Sequence, residues 1–223
     1  MKLEIVRMVL GPLQNNVYLL ADQETAEAVI IDPSFEPKRQ QDEIQRRGLK
    51  LTQIWLTHGH FDHYMGTAAL HKAFEPAPLI GMHPQAFAWA NEQKNAISFG
   101  MPIDPVPQVD IPFAQGQRLA VRASGEPEVI EVREVPGHNP GSVLFYCEAL
   151  KVAFTGDAIF RESIGRTDFP GGDFSLLLKS IREQVFTLPN ETTLLPVMDQ
   201  RAVWLTKNGT ILTWRKKLRV SRG

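Results

Sequence analysis

Residues 56–66 read Leu-Thr-His-Gly-His-Phe-Asp-His-Tyr-Met-Gly, and His58, His60, Asp62 and His63 fall within six consecutive positions. Imidazole and carboxylate are ligands that a divalent transition metal takes, and a catalytic metal site leaves one position open for water. His58 and His60 flank Gly59, where the backbone can bend tightly enough to turn both rings to one point. Asp62 and His63 stand one step further on and can address a neighbouring point. A single histidine is ordinarily a packing residue, but three with an aspartate directly after the apolar run LTQIWLT are not explained by packing. The chemistry such a cluster supports is metal-assisted hydrolysis, in which the ion brings the pKa of a water near neutrality and stabilises a developing oxyanion.

Two more residues occupy comparable places. His138 lies in the Pro/Gly-rich turn of EVPGHNPGS, after the apolar segment EVIEVREV, and Asp157 follows KVAFTG. The ends of strands are where sites gather in sheets covered by helices. Of the other histidines, His71 is expected mid-helix as a surface or half-buried side chain, and His83, after LIGM, at most at the rim of the site. Cys147, the only cysteine, reads as a small buried hydrophobe in SVLFYCE rather than a nucleophile.

The elements that must position these residues alternate short apolar runs with helix-like segments. KLEIVRMV, NVYLLA and EAVIID predict three antiparallel strands close in sequence. EPKRQQDEIQRRG predicts a helix, with Pro37 near its start and Gly48 at its end. LTQIWLT predicts a buried strand and HYMGTAALHKAF a helix, and APLIGM with PQAFAWANEQ repeats that order. Residues 95–116, with four prolines and two glycines, read as loop. RLAVRA, EVIEVREV, SVLFYCE, KVAFTG and a last short TTLLP are expected as strands. DFSLLLKSIREQVFTL is expected as an amphipathic helix capped by Asp173 or Ser175. Two strand-rich halves, each closed by helices, predict two packed sheets with helices outside.

Composition sets the limits. The chain has 223 residues, 43% hydrophobic and 22% charged, with a net charge of −1, which gives no general attraction to nucleic acid or acidic membranes. A small-molecule substrate is expected, with no nucleic-acid or membrane partner, and the oligomeric state is left open. The opening residues carry Glu4 and Arg7 in their apolar run and do not resemble a signal peptide. With one cysteine, no disulfide forms within the chain, and a cytoplasmic location is expected.

The set THGHFDH, PGHNPGS, FTGD and IGRTDFPGGD resembles the metallo-β-lactamase-fold hydrolases, and within them the short glyoxalase II-like proteins, from about residue 4 to 196. QNNVYLL and VIIDPS are similar to that family's opening strands, while Asn139 and Ser34 stand where Thr and Gly are commoner. The resemblance implies an α+β fold, a four-layer αββα sandwich. It implies that His58, His60 and His138 hold a first ion, that Asp62 and His63 hold a second, and that Asp157 bridges the two. Asp62 would also orient the attacking oxygen, and Asp32 would be a buried carboxylate behind the ligands. The implied metal is zinc, with iron or manganese as alternatives. The implied reaction is hydrolysis of a thioester or related acyl bond, as in a hydroxyacyl-glutathione. The glutathione-gripping helical region of full-length glyoxalase II enzymes is not expected in the roughly 27 residues after Pro196. Arg166 and Asp168, with Gly171 and Gly172, are expected to brace the loop beside the site, the first two as a buried salt bridge. Other readings are an iron persulfide dioxygenase, a metal-stabilised but inactive product of a damaged gene and, more weakly, a β-lactam hydrolase.

One element of the resembled pattern is missing. The family's second site is completed by a histidine in a Pro-Gly-His-Gly-Pro turn after the last strand, but this chain reads LLPVMDQR there and has no histidine after His138. Codons for Val-Met-Asp-Gln can spell Gly-His-Gly-Pro when one nucleotide is restored before them. In the same frame, codons for TKNGTIL permit Gln/Lys-Lys-Arg, two residues from the Asn/Asp/His/Tyr set and then Pro, a pattern similar to the Lys-Arg-x-Asn-Pro segment common at the family's end. Residues 201–223 hold seven Lys or Arg and no acid, whereas the preceding chain has 17 basic against 25 acidic residues. The expected organisation is therefore a hydrolase domain over 1–196 and an atypical basic tail over 197–223, read either as frameshifted or as the divergence of a relative that lost a ligand. The expected metal content is a complete first site and a partial second, with Asp199 as a chance donor.

Overall fold

The computed structural model describes residues 2–93, 104–122 and 130–198, with the backbone of short strands at 203–205, 211–213 and 221–222. Strands β1 (Leu3–Leu10), β2 (Asn15–Asp22) and β3 (Glu27–Ile31) form an antiparallel meander. From β3 the chain crosses by α1 (Pro37–Arg46) to a parallel β4 (Lys50–Trp55). It crosses again by α2 (Phe61–Tyr64) and α3 (Thr67–Ala73) to β5 (Leu79–Met82), and by α4 (Pro84–Gln93) to β6 (Ile111–Pro112). Strands β7 (Arg118–Leu119), β8 (Ile130–Glu134), β9 (Val143–Cys147) and β10 (Val152–Gly156) are successively antiparallel in a second sheet. A small hairpin, β11 (Ile159–Phe160) and β12 (Ser163–Ile164), and helix α5 (Phe174–Ser180) lead to β13 (Thr193–Pro196), parallel to β10.

Alternation along the strands makes the layers. In β2, Tyr18 and Leu20 face the second sheet while Val17 and Leu19 pack with Ile44 of α1 and Leu70 of α3. In β9, Phe145 and Cys147 face the first sheet, while Leu144 and Tyr146 pack with Leu177 of α5 and Ile181. Trp55, Phe113, Phe145, Tyr18 and Phe154 fill the space between the sheets. The ring centroids there are 5.2–5.3 Å apart, the tilted and edge contacts that aromatic rings favour. This is the α+β, four-layer αββα sandwich. Cys147, the one cysteine of the sequence, is buried inside the inter-sheet core.

Local chemistry moves some boundaries. The expected helix over 63–74 is broken at Gly66, whose N–H donates to the Pro33 carbonyl at 2.8 Å and where a Cβ would stand 2.6 Å from Ser34 O. Among the described residues of RLAVRA only Arg118–Leu119 pairs as strand, and the next carbonyl, of Ala120, accepts from the Gln53 side chain of β4 at 2.9 Å. Asp173 caps α5, its Oδ1 accepting from the Leu176 N–H at 2.9 Å, and the helix then widens into a π-helical turn over Ile181–Val185. The loop expected over 95–116 lies partly outside the described residues. In the tail, β14 (Val203–Leu205) pairs antiparallel with β13, β15 (Ile211–Thr213) with β14, and β16 (Ser221–Arg222) runs parallel to β1. Asp199 lies outside the described residues. Among the described residues no helix is long and apolar enough to cross a membrane.

Candidate metal centre

The cluster forms where strands of both sheets end together. β4 ends at Trp55, two residues before Thr57 and three before His58; His60 precedes the single turn α2, which carries Asp62 and His63. His138 sits in the turn between β8 and β9, and Asp157 follows β10 directly. The two sheets are tied behind this point by a bond from Val143 N–H to Thr57 O of 2.9 Å. His58, His60, Asp62, His63 and His138 are all buried, and the Asp157 side chain is 11% exposed. Ring centroids of His58 lie 4.7 Å from His60, 4.0 Å from His63 and 4.9 Å from His138, and those of His60 and His138 are 4.5 Å apart. The six residues singled out from sequence thus converge on one place.

Hydrogen-bond partners fix which nitrogen of each ring points inward. Thr57 donates its one hydroxyl proton to Asp32 Oδ2 at 2.6 Å, so it accepts from His58 Nδ1 at 3.0 Å. His63 Nδ1 donates to Asp32 Oδ2 at 2.9 Å, and His138 Nδ1 donates to the Arg166 carbonyl at 2.7 Å. In a neutral imidazole the remaining nitrogen is then a bare lone pair. For these three rings that nitrogen is Nε2, turned into the cluster. His58 Nε2 stands 3.0 Å from His60 Nδ1, and His63 Nε2 stands 3.5 Å from both Asp62 Oδ2 and Asp157 Oδ1. His138 Nε2 lies 3.8 Å from Asp157 Oδ2.

Burial favours the neutral imidazole. It lowers the pKa of His58 well below the ordinary value, with the neighbouring histidines adding to the effect. It pulls His60 down to about 3, His138 and His63 contributing, and lowers His138 against the pull of Asp157. His63 is the exception: burial opposes its charge, but Asp157, Asp62 and Asp32 outweigh burial and raise its pKa. Burial likewise opposes the charge of Asp157, and the surrounding imidazoles, His63 foremost, hold its pKa below the usual carboxylate range.

These features fit a cation. His63 Nε2, His138 Nε2 and Asp157 Oδ1 are buried without a hydrogen-bond partner, which in a finished fold calls for a ligand. Ligating atoms of His58, His60 and His138 all lie within 4.8 Å of one another, and two imidazoles on one tetrahedral zinc would sit about 3.3 Å apart. Asp32, His58 and His63 satisfy the same distance, but Asp32 faces the back of His63: its Oδ1 accepts the Thr57 N–H at 2.7 Å and its Oδ2 is engaged by Thr57 and His63. Asp32 therefore orients the His63 ring, a partnership usual behind metal-ligating histidines.

The other expected residues fall elsewhere. His71 is half-buried, paired with the Pro78 carbonyl at 3.0 Å, and His83 faces Glu134 at 3.4 Å beneath the turn of Gly141. Arg166 and Asp168 are bonded through two contacts of 2.7 and 2.6 Å, yet the pair is not buried as expected, for its side chains are 57% and 67% exposed. The reason is that the guanidinium sits over the Phe169 ring, 3.8 Å from its centroid, which keeps it at the surface. Phe169 and Trp89 wall the site beside His60, at centroid distances of 5.6 and 5.1 Å. Thr57, Trp89 and the Asn15 amide, which donates to Asp62, are functional neighbours that residue type alone did not mark. Thr57 was visible only as the residue before the cluster and Asn15 only within QNNVYLL.

A family profile described as the metallo-beta-lactamase superfamily matches residues 10–196. The chain is 34% identical to the hydroxyacylglutathione hydrolase GloC of Haemophilus influenzae over 192 residues, 86% of this chain and 87% of that one. It is also 34% identical to the mitochondrial persulfide dioxygenase ETHE1 of Homo sapiens over 186 residues, 82% of this chain and 63% of that protein. The protein TTHA1623, solved in a di-iron-bound form, superposes with a TM-score of 0.76 at 34% identity, covering 88% of this chain and 92% of that one.

Proposed function

Because the chain belongs to the metallo-beta-lactamase superfamily, we propose that it is a metal-dependent hydrolase cleaving a thioester or related acyl bond of a small molecule. The observation that carries this reading is the set of Nε2 atoms of His58, His63 and His138, each turned inward by a partner on its Nδ1 and gathered beside His60, Asp62 and Asp157. On this reading His58, His60 and His138 hold one ion, Asp62 and His63 a second, and Asp157 lies between. A divalent ion held there supplies a water of near-neutral pKa and polarises the scissile carbonyl. The protein's own part is to keep three imidazoles in the ligating tautomer, to exclude bulk water with Trp89 and Phe169, and to present the Asp62 carboxylate as the group that orients the attacking oxygen. The likeness to GloC favours an acyl-thiol substrate. A lone cysteine sealed in the inter-sheet core suits a reducing, cytoplasmic setting.

The two halves are unequal. All six histidines of the sequence lie among the described residues: four are in the cluster, and His71 and His83 are outside it. No imidazole beyond His63 itself remains for the half formed by Asp62, His63 and Asp157. We therefore expect zinc to bind in two steps, tightly to the three-histidine half and weakly to the other, consistent with a frameshifted or diverged segment after Pro196.

The second reading, a persulfide dioxygenase with one iron, is supported by the equal identity to ETHE1, while the di-iron-bound form of TTHA1623 supports iron as the metal without choosing the reaction. Purification followed by metal analysis, hydrolysis of a simple acyl-thiol with added zinc or manganese, and oxygen uptake on a glutathione persulfide separates the readings. Zinc-dependent thiol release without oxygen uptake supports the hydrolase. Iron with oxygen consumption and no hydrolysis overturns it.

A further inference from the structure

Asn15 opens β2 immediately after the tight turn Gly11–Gln14, and its side chain is fully buried. Its Nδ2 lies 3.1 Å from the Asp62 carbonyl and 3.0 Å from Asp62 Oδ2. The amide orientation is forced by these partners, because the reverse would set Oδ1 against two oxygens. Both amide hydrogens are thus given to one residue, and Asn15 Oδ1 has no hydrogen-bond partner among the described residues. The neighbouring Asn16, buried beside it, does something different: its Nδ2 donates to the Pro196 carbonyl at 2.8 Å and holds strand to strand. A carboxylate can rotate about its last torsion, which is broad and soft. The Asn15 bond stops that rotation in the orientation that turns Asp62 Oδ2 toward His63 Nε2, 3.5 Å away.

We propose that Asn15 is a positioning residue: by holding the Asp62 carboxylate it sets the affinity of the half-site made by Asp62, His63 and Asp157 without itself touching an ion. This rests on the reading of Asp62 as a donor to the second ion. The backbone carbonyl of Asp62 is held by the same amide, so the single turn α2 is fixed at the carboxylate and at the main chain together.

The test uses the full chain, stripped and titrated with zinc against a coloured chelator, in wild type and in Asn15→Ala, Asn15→Leu and Asn15→Ser. Removing a partner behind a metal ligand commonly costs 10–100-fold in affinity. The weaker zinc equivalent is expected to lose that factor in the alanine and leucine variants, while the tighter one changes less than about twofold, since none of its donors touches Asn15. In hydrolysis kcat falls with KM held. Asn15→Ser retains one donor, is expected to fall between, and carries the test should the alanine variant not fold. An unchanged weaker equivalent in a folded variant overturns the proposal, and so does an equal loss of both equivalents, which would mark plain packing. A wild-type chain that takes no second equivalent overturns instead the assignment of Asp62 as a donor.

Discussion

Replacing Asp32 by asparagine puts the proposed tautomer control to a direct test. The carboxylate is wholly buried and accepts three hydrogen bonds: from Thr57 N at 2.7 Å, from Thr57 Oγ1 at 2.6 Å and from His63 Nδ1 at 2.9 Å. An amide of the same shape has one oxygen and one NH2, so it cannot accept all three. If its oxygen stays on the Thr57 N–H, its NH2 faces the other two partners. His63 then accepts at Nδ1 and carries its proton on Nε2, the nitrogen directed at Asp62 and Asp157. Blocking that nitrogen is expected to weaken the second zinc equivalent by about 10–100-fold, or about 1.4–2.8 kcal/mol. Loss of a charge-assisted buried bond adds a destabilisation of about 1.5–3 kcal/mol, read as a lower midpoint in urea. Chelator competition measures the first effect and equilibrium unfolding the second. An Asp32→Asn chain that folds and holds both equivalents at wild-type affinity would refute the reasoning, because the acceptor would then have no bearing on the ring.

Three further outcomes follow from the same geometry. In Gly165→Ala the new Cβ would lie 2.0 Å from Asp157 O and 2.9 Å from His138 Nδ1, so the turn must shift; a loss of about 1–3 kcal/mol and weaker zinc retention are expected, and a wild-type Tm with full zinc content would contradict the close packing. For the metal-free chain, the lowered folded-state pKa values of His58, His60 and His138 mean that the unfolded chain binds more protons below about 6.5, so stability drops as pH falls from there toward about 3. The raised His63 runs the other way, but its contribution is already complete below about 6.5, so urea midpoints should be lower at pH 4.5 than at pH 6, and the reverse order would be inconsistent with neutral buried rings. Exchanging Val197, Met198, Asp199 and Gln200 for Gly, His, Gly and Pro is expected to tighten the second zinc equivalent at least tenfold, about 1.4 kcal/mol, and an unaltered titration would separate the weak half-site from the missing histidine.

The residues that converge here were legible because their types are costly to bury without a purpose: His58, His60, His63 and His138 each follow or interrupt an apolar strand, and the apolar runs of β2, β9 and β10 announce strands buried on both faces. What could not be read is who stands behind the ligands. Nothing in the type of Asn15 or Thr57 says that its partner lies across the fold at Asp62 or Asp32, since those bonds join positions 47 and 25 residues apart. Nor does a sequence distinguish a buried Arg166–Asp168 pair from one stacked on Phe169 in solvent. The end of RLAVRA escaped for the same reason, because Gln53 supplies from another strand a bond to Ala120 that a neighbouring strand would have made.

The hairpin added to β13 bears on how such a chain survives with an unusual ending. Strand addition is written in main-chain amides and carbonyls, which every residue but proline carries alike, so an exposed border of the second sheet will accept almost any extended segment. Val203–Leu205 occupies that border, and Ile211–Thr213 lies outside it. An extended terminal segment of almost any sequence can therefore cap an open margin that would otherwise recruit another molecule into aggregates, and it does so without entering the interior.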